Sequence, residues 1–530
     1  MTPGSSLRRQ GSLNSNWIPA FAGMTIHRDF MLKLNEIFSK YYGYLISILF
    51  LLVGFYGILH HEMWRDELQS FLIAKNSGNL FELFKNIRYE GHPGLWYFFL
   101  FIITRFSGNP FYMQIAHLLI AGLSVFLVAK FSPFNKLEKL LFAFGYFPLY
   151  EYGIISRNYS LGMLFIIIFC LLFSSKKNIL FLTVPLFFLA QTSVFGLIIA
   201  FFLFLYLLLE LLIDNGGVSY KNVPEIMLAV LIASTGFYLA YLQLKVPADS
   251  GVYTAWNTIL NIDQAKTTFS IIWRAYVPIP INQLNFWNTN FVTDAGRQYI
   301  YSIILFIIFG LTMIRKPTLM IFYIFSTLAV MLFFYTKFPG FLRHQGNLFL
   351  ILFACLWIYK KYLVLNKEDL KLENIWFSLI VTLLFSANVY AAYIAYKTDY
   401  ANTFSAGRET MQYIKNNNLE NDQFVGAEDF TSASVIGYSN KEIYFPESGR
   451  WGTYVIWDKK RHFADQLDIL QSADKITLLK NSKVLVILNS DNLDVYLKNE
   501  NSDFSITKLK SFGPSIVDGE TFSLYEVSKK

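Results

Sequence analysis

Residues 60–94 read HHEMWRDELQSFLIAKNSGNLFELFKNIRYEGHPG and hold two clusters of ionisable side chains, Arg65, Asp66 and Glu67, then Arg88, Glu90 and His92. Such a set can do acid–base work. A carboxylate can take the proton of an attacking hydroxyl, while cations steady the negative charge that develops on a leaving group. Most charge runs are no more than a solvated face. Here both clusters border long apolar runs, where converging acids, bases and histidine exceed what solubility requires.

The elements that position these residues follow from composition. With 54% hydrophobic and 18% aromatic residues, the 530-residue chain is too apolar for a soluble globule. Its +8 formal charge lies in short Lys/Arg tracts beside apolar runs, as in cytoplasmic loops, and gives no footprint for nucleic acid. Cys170 and Cys355 both fall within apolar runs, which leaves no disulfide framework. Spans are expected near 42–60, 111–129, 138–154, 158–173, 178–191, 193–213, 225–245, 298–314, 318–336, 345–362 and 374–396, about eleven in all. The run 95–106 is short for a crossing, at about 18 Å of helix. If it does not cross, Lys130/Lys136/Lys139, Lys176/Lys177, Arg315/Lys316 and Lys360/Lys361 all fall on the cytoplasmic side, together with Lys33 and Lys40. The N-terminus is then inside, and 61–110, 155–157, 246–297 and 336–347 share the outer face.

Residues 1–30 lack a helical period and a signal-peptide pattern; they look like translated intergenic repeat DNA of a Gram-negative bacterium, ahead of a natural start at Met31. Residues 31–396 form the membrane domain. Beyond 397 the chain turns polar, with DQFVGAE, KEIYFP and KVLVILN as strands and AGRETMQYIKNN as a helix, an extracytoplasmic α/β domain. Its adjacent acids Glu428 and Asp429 read as a strand end followed by a turn, and this domain is expected to tune acceptor choice without performing chemistry. The fold class is thus an all-α polytopic membrane protein with a C-terminal α/β domain.

In the first outer loop Trp64, Leu68, Phe71 and Leu72 recur at helical spacing, as do Leu80, Leu83, Phe84 and Ile87, with Asn79 placed to cap the second helix. Arg65, Asp66 and Gln69 fall away from the apolar stripe. Arg157, Arg343 and His344 are further outer-facing cations, though an arginine at a span end commonly snorkels to headgroups. Trp256, Trp273 and Trp287 offer stacking faces for sugars or an interfacial belt. No cofactor is expected; a divalent metal is possible but His92 has no partner ligand at helical spacing, and no phosphate-loop pattern supports a nucleotide-sugar site.

WRDE after a first span, followed by GHPGLWYF, resembles the DE…HPP pattern of GT-C class membrane glycosyltransferases, in particular the protein mannosyltransferase and aminoarabinose transferase group; the family's second proline is Gly94 here. The resemblance implies a bacterial inner-membrane transferase moving a sugar from a polyprenyl-phosphate donor to an extracytoplasmic glycan, lipid or protein acceptor. It also implies Asp66 as the catalytic acid/base, with Glu67 orienting the loop or a donor hydroxyl. Arg65, Arg88, Glu90, His92, Arg157, Arg343 and His344 would bind substrate. The alternatives are a flippase of lipid-linked sugars, for which Glu151 and Glu210 are the acids within or near spans, a surface-polysaccharide polymerase or ligase, and a sensory protein whose C-terminal domain binds a partner.

Overall fold

The structure is a computed structural model describing residues 18–213, 223–252, 255–366, 370–480, 483–489, 493–494 and 504–529. Helices dominate up to residue 401, since a helix satisfies its backbone hydrogen bonds internally, as hydrocarbon demands. In chain order they are α1 (Ile18–His60), α2 (Arg65–Asn76), α3 (Leu80–Asn86), α4 (Leu95–Phe106), α5 (Phe111–Phe131) and α6 (Lys136–Ala143). A π-helical segment, Tyr146–Ile154, precedes α7 (Tyr159–Ser174), α8 (Ile179–Ala190), α9 (Val194–Ile213) and α10 (Val223–Leu244). Then come α11 (Ile262–Phe269), α12 (Ile271–Tyr276), α13 (Ala295–Thr312), α14 (Pro317–Thr336), α15 (Leu342–Leu365) and α16 (Lys371–Ala401).

Among the described residues eight helices are long and apolar enough to cross a bilayer: α1 from Ser39, α5, α9, α10 and α13 to α16. The other three expected spans are shorter or broken. The α7 and α8 helices have 16 and 12 residues. The run 138–154 is not one helix, because extended Gly145 ends α6 and Pro148 sits in the first turn of the π-helix, where no N–H is needed. At the start of the chain, residues 18–30 continue the helix of the first span, although the sequence there shows no helical period; residues 1–17 lie outside the described residues.

The α4 helix begins and ends beside the same domain. At its entry Glu90 accepts from Gln69, which also donates to Val455 O at 2.9 Å. At its exit Arg105 donates to Lys75 O at 3.0 Å, and Lys75 in turn to Asn440 Oδ1 at 2.9 Å. Both Val455 and Asn440 belong to the C-terminal domain, so the two ends of α4 lie beside the same domain. The opposite end of the bundle gathers the basic tracts: Lys316 pairs with Glu210 at 2.8 Å, Arg315 with Glu373 at 3.4 Å, Lys360 with Glu138 at 3.6 Å, and Lys136 donates to Ser39 Oγ at 2.7 Å.

Past α16 the chain folds into α17 (Gly407–Asn416), β1 (Gln423–Ala427), α18 (Asp429–Ile436), β2 (Ile443–Phe445), β3 (Arg450–Gly452), α19 (Gln466–Lys480), β4 (Val484–Leu488), β5 (Phe504–Phe512) and β6 (Phe522–Lys529). The six-stranded sheet has the order β3-β2-β1-β4-β6-β5, with β1 parallel to β2 and β4 and the remaining pairs antiparallel. Alternate residues of β1 face opposite layers. Phe424 packs with Met411 and Ile414 of α17, and Val425 with Ile469 and Leu470 of α19. The three expected strands and the helix at 406–417 are present. Glu428 and Asp429 open α18 instead of a turn.

The arrangement predicts that an extracytoplasmic reporter fused after residue 108 is active, and that fusions after 134, 177 or 316 are silent. Active fusions at 134 and 177 would require α4 to cross.

Candidate active site

The first turn of α2 carries the site, and its start is fixed by acids. Trp64, at the N-cap position, has no side chain able to accept a hydrogen bond; Glu67 reaches back instead and accepts from Trp64 N at 3.1 Å. Glu67 is fully buried, and its other oxygen accepts from Ser156 N at 2.6 Å. His61 lies 3.1 Å from Glu67 and 2.8 Å from Asp399, which also accepts from Tyr150 at 3.1 Å. Burial alone would lower the His61 pKa, but Asp399 and then Glu67 outweigh it and push it up to about 10. Glu67 therefore holds the loop and points away from the cavity, so it orients no donor hydroxyl.

Asp66, one residue earlier, faces a cavity of about 570 Å³ between the membrane domain and the C-terminal domain. Its Oδ2 lies 3.1 Å from Arg343 Nη2 and 4.0 Å from Arg157 Nη1. Burial raises its pKa, yet Arg157, Arg343 and Arg65 together hold the carboxyl below its ordinary value. Arg157 follows the π-helix, donates to Asp66 O, and lies 3.4 Å from His92 Nε2. Arg343 opens α15 inside an aromatic box, 4.9 Å over Trp64, 5.5 Å over Trp287 and 4.7 Å over Phe341. Its carbonyl accepts from Tyr152 at 2.8 Å, and a side chain at Gly346 would collide with Phe147 and Tyr152, so only glycine lets α15 lie this close to the π-helix.

Of the residues expected to bind substrate, Arg65, Glu90, His92, Arg157 and Arg343 line this cavity with Asp66. Burial lifts Glu90 to about 7, whereas burial and then Arg157 lower His92 to about 3, so His92 is neutral and serves as an acceptor for arginine. Two expected residues are elsewhere. Arg88 is turned outward by the 3-10 turn Ile87–Tyr89 and pairs with Asp249 at 3.0 Å on the surface. His344 points into the bundle, where its Nδ1 accepts from Phe341 N at 2.9 Å and its ring packs on Tyr159, Phe195 and Phe338.

Of the three loop tryptophans expected as stacking faces, Trp287 lines the cavity. Trp287 donates to Glu151 Oε2 at 3.0 Å and packs edge-on against Trp64 at 4.8 Å. Trp256 and Trp273 do not line the cavity. Phe430, Val455, Trp457 and residues 516–518 come from the C-terminal domain. Arg461 chelates Asp429 at 2.8–3.0 Å and stacks on Trp457 at 4.9 Å, so this acid braces a cavity wall. Glu67 did leave a sequence signal: it stands three residues after Trp64 and four before Phe71, on the buried stripe. Among the described residues no three His, Cys, Asp or Glu side chains gather as a metal site would need.

No protein-family model and no curated protein matches the sequence. Among solved structures the chain is similar to ArnT from Cupriavidus metallidurans in the apo state, at TM-score 0.48 and 11% identity over 91% of this chain and 97% of that one. It is similar also to the same ArnT bound to undecaprenyl phosphate, at TM-score 0.47 and 11% identity over the same shares.

The buried His61 pair predicts a pH signature. A histidine raised from 6.5 to about 10 contributes its full stability below about pH 6.5 and loses it as pH climbs toward 10. Glu67→Gln breaks one side of the pair and should destabilise the fold by about 3 kcal/mol near pH 7. Melting in detergent should show the wild type losing more stability between pH 7 and 10 than the variant; equal losses would contradict the pairing.

Proposed function

We propose that the protein is a membrane glycosyltransferase that moves a sugar from a polyprenyl-phosphate donor to an acceptor on the extracytoplasmic side. The observation that carries this reading is the state of two arginines. The Nε–H groups of Arg157 and Arg343 are both buried and find no acceptor among the described residues, although each guanidinium already leans on Asp66. Buried donors left unpaired are costly, and a phosphate is the ligand that satisfies several guanidinium N–H groups at once. At the Asp66 end of the cavity two fixed cations face one carboxylate, with His92 neutral, which favours an anion there; Arg65, Glu90 and Asp518 line the remainder.

The chemistry follows from that placement. The acceptor oxygen attacks the anomeric carbon, the bond to the lipid phosphate breaks, and the phosphate oxygen leaves with the bonding pair toward Arg157 and Arg343. Asp66 receives the acceptor proton. Paired with arginine it is a weak base, but the hydroxyl becomes acidic only as the new bond forms, so late transfer suffices. The incoming phosphate also competes for the same guanidinium groups and thereby loosens their hold on Asp66. Trp64, Trp287 and Trp457 supply apolar faces on which a sugar ring can rest. The co-facial basic tracts at the other end of the bundle support a cytoplasmic N-terminus and an inner-membrane location.

Asp66→Asn keeps size and most hydrogen bonding but removes the base, so turnover should fall about 10²–10⁴-fold while donor binding survives. Arg343→Ala should weaken donor binding, with activity partly recovered at high donor concentration. Transfer of radiolabelled sugar from a polyprenyl-phosphate extract in proteoliposomes, beside a donor-binding assay, measures both. Translocation of the lipid-linked sugar without transfer to any acceptor would replace the transferase reading with a transporter.

A further inference from the structure

The loop between β5 and β6, residues 513–521, reaches out of the C-terminal domain into the membrane domain. Ile516 and Val517 are buried within the membrane-domain core, and their amides donate to Thr403 O at 2.9 Å and Phe404 O at 3.1 Å. Asn285, from the loop between α12 and α13, clamps the same finger: its Nδ2 donates to Ile516 O at 3.1 Å and Asp518 Oδ1 at 2.9 Å. The finger delivers Glu520.

Glu520 is fully buried beside the N-terminus of α2. Its Oε1 accepts from Arg65 N at 3.0 Å and lies 3.4 Å from Arg65 Nη1, while Oε2 accepts from Ser405 Oγ at 2.5 Å. Arg65 N is the first amide of α2, and Trp64 cannot serve it. A free amide at a helix start needs an acceptor, and an acid there also meets the positive end of the helix dipole. Glu520 is that acceptor, supplied from 455 residues away. Asp66 is the next residue of the same turn.

We infer that Glu520 is a positioning residue for the transfer step: by capping α2 across the domain interface it fixes where Asp66 stands against Arg157 and Arg343. This rests on the transferase reading above. It also makes the C-terminal domain part of the catalytic apparatus, beyond any role in choosing the acceptor. The domain grips the rest of the loop too, with Tyr438 accepting from Met63 N at 3.0 Å and Arg408 paired to Glu62. Those contacts keep α2 docked when Glu520 is changed, so its loss shifts the first turn without unfolding the helix.

The test uses the full-length protein in detergent or proteoliposomes, with Glu520→Ala and Glu520→Gln. Alanine removes the acceptor; glutamine keeps an oxygen for Arg65 N. Turnover should fall about 10²-fold in the alanine variant, the cost of displacing a reacting group by about an ångström, with donor KM within about twofold of wild type. Glutamine should restore most of the turnover. Hydrogen exchange, which needs no enzymatic activity, should show faster exchange of the amides of residues 65–68 in the alanine variant only. Wild-type turnover in Glu520→Ala, or a turnover loss matched by the loss of donor binding, would overturn the inference, as would unchanged exchange at 65–68. A wild type that transfers no sugar while exchange still rises in Glu520→Ala would instead sink the transferase reading and leave the cap in place.

Discussion

Two guanidinium groups at the rim of a membrane-embedded bundle need a counter-charge, and Asp66 gives it to both. Arg157 enters from the end of the π-helix and Arg343 from the start of α15, so the pairing ties three segments to one point. Much of the surrounding structure exists to hold those charges still. The aromatic box of Trp64, Trp287 and Phe341 fixes Arg343, Glu151 fixes Trp287, and the buried pair of His61 with Glu67 and Asp399 anchors the loop from which α2 springs. Each of these groups is individually expensive to bury, and each is acceptable only because its partner is present.

The same arrangement separates two adjacent acids into two roles. Asp66 is about one-third exposed and faces the cavity, whereas Glu67 is sealed beneath it and accepts three hydrogen bonds. Successive helical residues diverge by about 100°, enough to put Glu67 on the buried face while Asp66 stays on the cavity side. The inward acid holds the loop. The outward one faces the cavity, where Arg343 and Arg157 flank it.

How much of this the sequence reveals depends on whether the signal is local. The polar face of α2, the Asn79 cap, the long spans and strands β1, β2 and β4 all follow from periodicity within a few turns, and the structure has each of them. The charge pattern, which puts four basic tracts on one side when α4 does not cross, agrees with the contacts that bring both ends of α4 beside the C-terminal domain. What was not legible came from distance or irregularity. His61 meets Asp399 338 residues later and Glu520 meets Arg65 455 residues earlier, and no spacing rule spans such gaps. Arg88 and His344 lie away from the cavity because the 3-10 turn and the first turn of α15 swing neighbours to opposite sides, which no periodicity encodes. Strands β5 and β6 do show alternation, so their signal was present; the short finger between them carried none.

On the proposed reading, the Asp66, Arg157 and Arg343 cluster receives the donor phosphate. An electron cryo-microscopy map of the protein with undecaprenyl phosphate would test it directly. The account predicts phosphate density within hydrogen-bond distance of both Arg157 and Arg343, with the Asp66 to Arg343 contact lengthened from 3.1 Å. Phosphate bound elsewhere, with that contact intact, would contradict it.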